Sequence, residues 1–225
     1  MCGRYKFTRA DRAFLAREFG LREEDVPDFA DELDNAPGSW RSVIGTEGGQ
    51  RKWTSMRWGY VMSIEGKKKV VFNAKVENLT KLSKWRRVLR NRCIIPASGF
   101  YEWKRVNGKA GAKYEITVRD QPVFGFAGLF DDTINPKTRE PERVFWIITT
   151  PANPLFAEFH DRQPAILERG SYDAWLAQSG PPPLHLLGVF PAERMIITEV
   201  AEIKEARPIL RKHLEEDEPM LPGLF

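Results

Sequence analysis

Apolar positions follow two rhythms along this chain of 225 residues. Near the start Phe14, Leu15 and Phe19 recur at helical spacing, with Thr8 ahead of them as a cap and Gly20 behind them as a stop. That pattern predicts a helix running to about Phe19 with those three side chains inward. From there to residue 75 loop formers dominate, with short strand candidates in RSVIG (41–45) and KWTSMRWGYV (52–61) and a turn at Pro37-Gly38. A second helix is predicted over about 80–90. Beyond it the rhythm changes to runs of apolar or alternating character: RCIIPA (92–97), FYEWKRV (100–106), KYEITVR (113–119), PVFGFAGLF (122–130) and RVFWIITT (143–150). Turn formers such as Asn107-Gly108 separate them, so they read as successive strands with hairpin-compatible connections. KYEITV alternates and predicts a half-exposed strand, whereas VFWIITT is continuous and predicts a buried one. Short helices over 153–159 and 171–178, a Pro181-Pro182-Pro183 break and a mobile or loosely docked acidic tail over about 214–225 complete the reading. The expected class is α+β, a barrel-like, mostly antiparallel β core with peripheral helices in a single domain over 1–225. No internal repeat, Walker loop or dinucleotide fingerprint occurs in the sequence.

Composition narrows the functional classes. No apolar run approaches the ~18 residues that span a bilayer, and Arg4, Lys6, Arg9, Asp11 and Arg12 occupy the stretch where a signal peptide needs apolar residues. The expectation is a cytoplasmic protein with no membrane partner. The two cysteines, Cys2 and Cys93, are far apart, which argues against a disulfide framework and leaves too few thiols for a Cys-rich metal centre. No cofactor and no metal are expected. The formal charge is +4, a mild basic excess concentrated in GKKKV (66–70) and KLSKWRRVLRNR (81–92), where Trp85 sits between Lys84 and Arg86. These stretches can be a solvated face and an ordinary amphipathic helix, or a phosphate-tracking surface with an aromatic available for stacking.

Four positions stand out chemically. Removal of Met1 would leave Cys2 with a free α-amino group and a free thiol on adjacent carbons. Those groups titrate near about 8 and about 8.5, so each has a reactive fraction at neutral pH. A 1,2-aminothiol attacks an aldehyde twice, the amine forming an imine and the thiolate closing a thiazolidine. The alternative is an incidental small residue at a frayed terminus. His160, in EFHDRQPAIL, is either a structural hydrogen-bonding residue or, with Asp161 and Arg162 after it to orient or tune it, a proton relay at a developing oxyanion. Glu102, in SGFYEWKR, either lies desolvated between Tyr101 and Trp103, with its pKa raised toward a proton shuttle's range, or faces outward and pairs with Lys104 or Arg105. Asn73, in VVFNAKVEN, is either a turn residue or an amide that holds a substrate oxygen or the terminal amine.

In their order these positions resemble the SOS response-associated peptidase (SRAP) family. The stretches that carry the resemblance are MCGRY (1–5), NAPGSW (35–40), MRWGY (56–60), FNAKVE (72–77), RCIIPASGFYEW (92–103) and TTPANPLFAEFHDRQPAIL (149–167), which together span nearly the whole chain. The resemblance implies a barrel-like antiparallel core around a basic cleft, and a monomer that bonds covalently through Cys2 to abasic sites in single-stranded DNA, shielding the lesion in the DNA damage response. It implies that Asn73 positions the sugar and the N-terminal residue, that Glu102 shuttles protons, and that His160 assists ring opening and steadies the oxyanion. Arg4 and Trp58 match DNA contacts of the family, and with Lys75, Trp85, Arg86 and Arg162 they form the expected DNA-contact set; the resemblance also implies a lyase branch and peptidase activity on the protein's own Met1. Three departures are visible. Lys75 stands where the family carries Arg, turning a bidentate fork into a point charge. Gln163 stands where it carries Met, and the Trp-Gly segment continues as GYVMSIEGKKKV without a second tryptophan. Two other classes compete: an N-terminal-cysteine hydrolase of the peptidase or glutamine amidotransferase type, and a non-covalent single-stranded DNA reader.

Overall fold

The computed structural model describes residues 3–200, apart from 9, 65–66, 107–108 and 136–137. Cys2, the Asn107-Gly108 turn and the acidic tail therefore lie outside the described residues. In chain order the strands and helices are β1 (Arg4–Phe7), α1 (Arg12–Phe19), β2 (Glu32–Asn35), β3 (Trp40–Glu47), β4 (Gln50–Trp58), β5 (Tyr60–Ile64), β6 (Lys67–Val71), β7 (Asn73–Lys75), α2 (Ser83–Val88), β8 (Arg92–Ala97), β9 (Gly99–Val106), β10 (Lys109–Val118), β11 (Phe124–Ile134), β12 (Pro141–Pro151), β13 (Arg162–Pro164), β14 (Ile166–Leu167), α3 (Tyr172–Leu176) and β15 (Met195–Val200). Strands β12, β4, β3, β8 and β11 pair in that order, and β11 pairs back to β12, closing a five-strand barrel. A second, antiparallel sheet runs β15-β10-β9-β1-β2, and β5 with β6 forms a two-stranded ribbon. The pairings are antiparallel except where β12 meets β4 and β7. The barrel-like α+β expectation holds.

Continuous apolar runs become the inner staves. Val144 through Thr150 of β12 are all buried, as the unbroken VFWIITT run predicts, and β8 is buried along its whole length. In β10 the alternation gives Ile116 and Val118 buried beside half-exposed Glu115 and Thr117. One glycine has a decisive role: Gly59 sits at φ +81°, and a Cβ there would lie 2.8 Å from Phe72 Cβ and 2.9 Å from Val71 O. It divides the single run expected over 52–61 into β4 and β5, because a left-handed residue cannot continue a strand.

Local details differ from the sequence pattern where side chains compete for backbone groups. Helix α1 is capped by Asp11, whose carboxylate accepts from Phe14 N–H at 3.0 Å, while Thr8 bonds Ser98 instead. Gly20, left-handed at φ +63°, ends it as expected. Leu15 and Phe19 are buried and Phe14 partly so. The helix expected over 153–159 shrinks to a single 3-10 turn, Phe156–Glu158, since the Asn153 carboxamide accepts from Phe156 N–H at 2.8 Å and holds the entry as a side-chain turn. Helix α2 is shorter than the predicted 80–90 and carries no side-chain cap.

Candidate functional site

Strand alternation sets the first half of the site. On β9, residues 100, 102 and 104 share one face. Phe100 packs on Phe156 with ring centroids 5.7 Å apart, and Lys104 reaches Glu158 at 3.2 Å and lies 5.5 Å over the Phe159 ring. Glu102 lies between these two contacts and is 7% exposed. Its cross-strand neighbour Tyr114 stands edge-on to Phe159 at 4.8 Å. The Glu102 face of β9 is therefore closed by the turn that leads into His160. Sequence left two orientations open for Glu102, and the inward one is realised.

The second half is built around the end of β12. Strand β7 pairs along one edge of it, Asn73 opposite Ile147 and Lys75 opposite Thr149, and β13 pairs along the other, Pro164 opposite Thr149 and Arg162 opposite Pro151. Asn73 is buried at the first position of β7. Arg162 ties the two flanks together: its guanidinium makes a two-pronged ion pair with Glu77, just beyond β7, and donates to the Thr149 carbonyl. The strand that carries Asn73 and the turn that carries His160 are thus fastened to each other. Hydrogen bonding to Arg162 also holds the Glu77 carboxyl below the usual carboxylate range.

His160 has a partner for its Nδ1 in either charge state. That nitrogen lies 2.9 Å from the Arg162 N–H, which it accepts when neutral, and 2.7 Å from Asp161 Oδ1, to which it donates when protonated. Accepting from the peptide puts the proton of the neutral ring on Nε2. A half-buried imidazole with the Nε2–H tautomer selected is equipped to donate a proton at one nitrogen while the other is steadied.

The remaining sequence candidates separate into two groups. Arg4 is partly exposed and pairs with Asp34 at 2.5 Å, and Lys75 and Arg86 are exposed. Trp58 and Trp85, by contrast, belong to the core. Trp58 is 0% exposed, edge-on to Tyr5 and Phe72 and stacked on Phe145, with its indole N–H given to the Phe72 carbonyl. Trp85 is 5% exposed and edge-on to Trp146 at 5.3 Å. Both rings are packed inside the fold, and the guanidinium of Arg162 is held internally by Glu77 and the Thr149 carbonyl. Sequence reasoning missed the Arg162–Glu77 tie, the Tyr114–Phe159 contact and the link from Gln163, which accepts from Asn153 N–H and donates to the Phe190 carbonyl. The buried glutamine is the signal that could have exposed the last of these, because a fully buried amide must have partners. Among the described residues no group of three or more His, Cys, Asp or Glu is placed to hold a metal ion, and no helix is long and apolar enough to cross a membrane.

Comparison with known proteins adds an independent finding. Residues 1–203 match the family model described as SOS response associated peptidase (SRAP). The abasic site processing protein YoqW of Bacillus subtilis (strain 168) is 31% identical over 193 residues, 83% of this chain and 84% of the relative. The abasic site processing protein YedK of Escherichia coli (strain K12) is 25% identical over 182 residues, 79% of this chain and 80% of the relative. A protein from Bordetella bronchiseptica solved by X-ray crystallography superposes with a TM-score of 0.73 at 26% identity, covering 89% of this chain and all of that one.

Proposed function

This chain belongs to the SOS response associated peptidase (SRAP) family, and on that premise we propose that it processes abasic sites in DNA, capturing the ring-opened sugar of a single strand through Cys2 once Met1 has been removed. The α-amine adds to the C1′ aldehyde and water leaves, giving an imine. The Cys2 thiolate then adds to the imine carbon while the nitrogen takes up a proton, closing a five-membered thiazolidine. Glu102 moves the protons of imine formation and closure, His160 donates from Nε2 to the sugar oxygen during ring opening, and Asn73 holds the sugar and the terminal amine through its carboxamide. The imine also permits proton loss from C2′ and departure of the 3′ phosphate, a strand-cleaving branch.

The observation that carries this reading is the position of Glu102. It lies on the inner face of β9, against the turn that leads to His160, and its neighbour Tyr101 pairs with Arg4 of β1. Two peptide units separate residue 2 from Arg4, so chain length alone keeps it within about 8 Å of that residue, a span short enough for the reaction we propose at Glu102. Relatives named for abasic site processing support the substrate. Incubation with an oligonucleotide bearing one abasic site should give an SDS-resistant band whose intact mass equals Met-less protein plus DNA less one water. Cys2→Ala should give none and Glu102→Gln should slow it at least tenfold. A wild-type protein that has lost Met1 and still forms no adduct refutes the proposal.

A further inference from the structure

Six of the seven tryptophans are buried or half-buried, and Trp40 alone stands 50% exposed. No ring pair or cation–π contact among the described residues involves it. Its stem, in contrast, is fixed. The turn before it holds Gly38 at φ +93°, the Ser39 hydroxyl donates to the Ala36 carbonyl at 2.5 Å, Gly38 N–H donates to the Trp58 carbonyl at 2.7 Å, and Trp58 N–H donates to the Ser39 carbonyl at 2.9 Å. The chain thus presents a large apolar ring to water from an anchored backbone.

The anchor leads to the site. Trp58, which grips the turn, gives its indole N–H to the carbonyl of Phe72, the residue before Asn73, and β2, which feeds the turn, pairs Asn35 with Tyr5 of the N-terminal strand. Trp40 therefore stands at the same end of the molecule as Arg4 and Asn73. The neighbours on its own face are polar: Ser42 two positions on, Ser55 opposite Ser42, and Arg57 opposite Trp40. A protein partner docks on contiguous apolar surface, which this face lacks. A single planar ring among hydroxyls and a guanidinium suits instead the π-face of an unpaired nucleobase.

We infer that Trp40 is a stacking platform for an unpaired base next to the lesion in the captured strand, an inference that rests on the DNA reading above. It holds the strand in register by stacking and takes no part in the bond-making steps. The test has two arms. In the first, an unmodified single-stranded oligothymidylate is titrated at fixed low salt by fluorescence anisotropy. Trp40→Ala should weaken binding about tenfold, the ratio that loss of one base–aromatic stack gives, and Trp40→Phe should keep most of the affinity. In the second, adduct formation with an abasic oligonucleotide is followed against protein concentration. Trp40→Ala should raise the half-saturating concentration and leave the saturating rate unchanged. Equal binding of oligothymidylate by wild type and Trp40→Ala overturns the inference, as does equal loss in Trp40→Phe and Trp40→Ala, or no binding by the wild type. If the wild type binds oligothymidylate through Trp40 but forms no adduct, the lesion chemistry fails and the platform stands. Matching melting temperatures among the three proteins are expected, because the ring contributes little to the core.

Discussion

An arginine buried among strands has to be matched group by group, since a buried guanidinium left short of acceptors costs several kcal/mol. Arg162 meets most of that demand through its two terminal nitrogens, which donate to Glu77 and the Thr149 carbonyl, while its buried Nε–H finds no acceptor among the described residues. In the sequence it reads as a basic residue beside a catalytic histidine, and nothing in HDRQP tells which way it points. Burial is a property of the strands that close around it, so the same letters serve a phosphate contact or an internal clasp. Asn73 and Glu102 were legible as candidates because amides and carboxylates flanked by apolar runs are unusual, but their inward orientation depends on where β7 and β9 meet the rest of the chain. If Arg162 is a clasp, Arg162→Ala should lower stability to denaturant by about 2–4 kcal/mol. Glu77→Gln should cost under about 1 kcal/mol, its carboxylate being well exposed. The Glu77 share is present above the ordinary carboxylate range and lost as pH falls through the lowered folded value. A wild-type-like denaturation midpoint for Arg162→Ala would return Arg162 to the DNA-contact set.

At the scale of elements, most strands were readable from their rhythm, because a barrel stave buried on one or both faces writes its burial into the apolar pattern. Closure was not. Hairpin neighbours follow from sequence order, but the parallel contacts of β12 with β4 and β7 join segments separated by long stretches of chain, and no local signal specifies them. Helix α2 shows the same dependence. Its six residues are too few to be stable alone and it lacks a cap, so its place rests on Trp85 against Trp146 and on the Lys84 stem, which carries its Nζ to 4.6 Å and 4.4 Å from those two ring centroids. Burial lowers the Lys84 pKa to about 8, with Asp131 opposing and Arg87 adding to the shift. Because the unfolded lysine titrates near about 10.4, the unfolded state binds more protons between those values, and stability from this group rises as pH increases from about 8 to about 10.4. Lys84→Met keeps the stem between the rings and removes the charge. The difference in melting temperature between Lys84→Met and wild type should favour the variant below pH 8 and shrink as pH rises through that window. A difference that stays constant with pH would mean that the ammonium is not desolvated.

For the whole molecule, a formal charge of +4 is too small to predict nucleic-acid binding, and what matters is which cations remain free to meet phosphate once the fold has used the rest. Arg57, Arg87 and Arg143 are committed to Glu142, Asp131 and Asp132, and Arg92 to the Leu89, Trp175 and Ala177 carbonyls. Arg162 is fastened inside. Lys75 and Arg86 are exposed and are the candidates for direct phosphate contact, while Arg4 must first exchange Asp34 for a phosphate. Each phosphate neutralised on a single strand contributes about −0.7 to the slope of log Kobs against log salt. Replacing Lys75 and Arg86 together by Gln should therefore flatten the slope by about 1.4 if each meets one phosphate, and weaken binding to all sequences alike. Arg4→Gln should flatten it by less, since Asp34 already neutralises that charge, and Asp34→Asn should strengthen binding at low salt. Trp40→Ala should lower affinity without changing the slope, because stacking releases no counterions. Titrations of an oligothymidylate between 50 and 200 mM salt, the range over which phosphate contacts lose most of their strength, separate these cases. An unchanged slope in the Lys75/Arg86 double variant would show that the strand runs elsewhere on the surface.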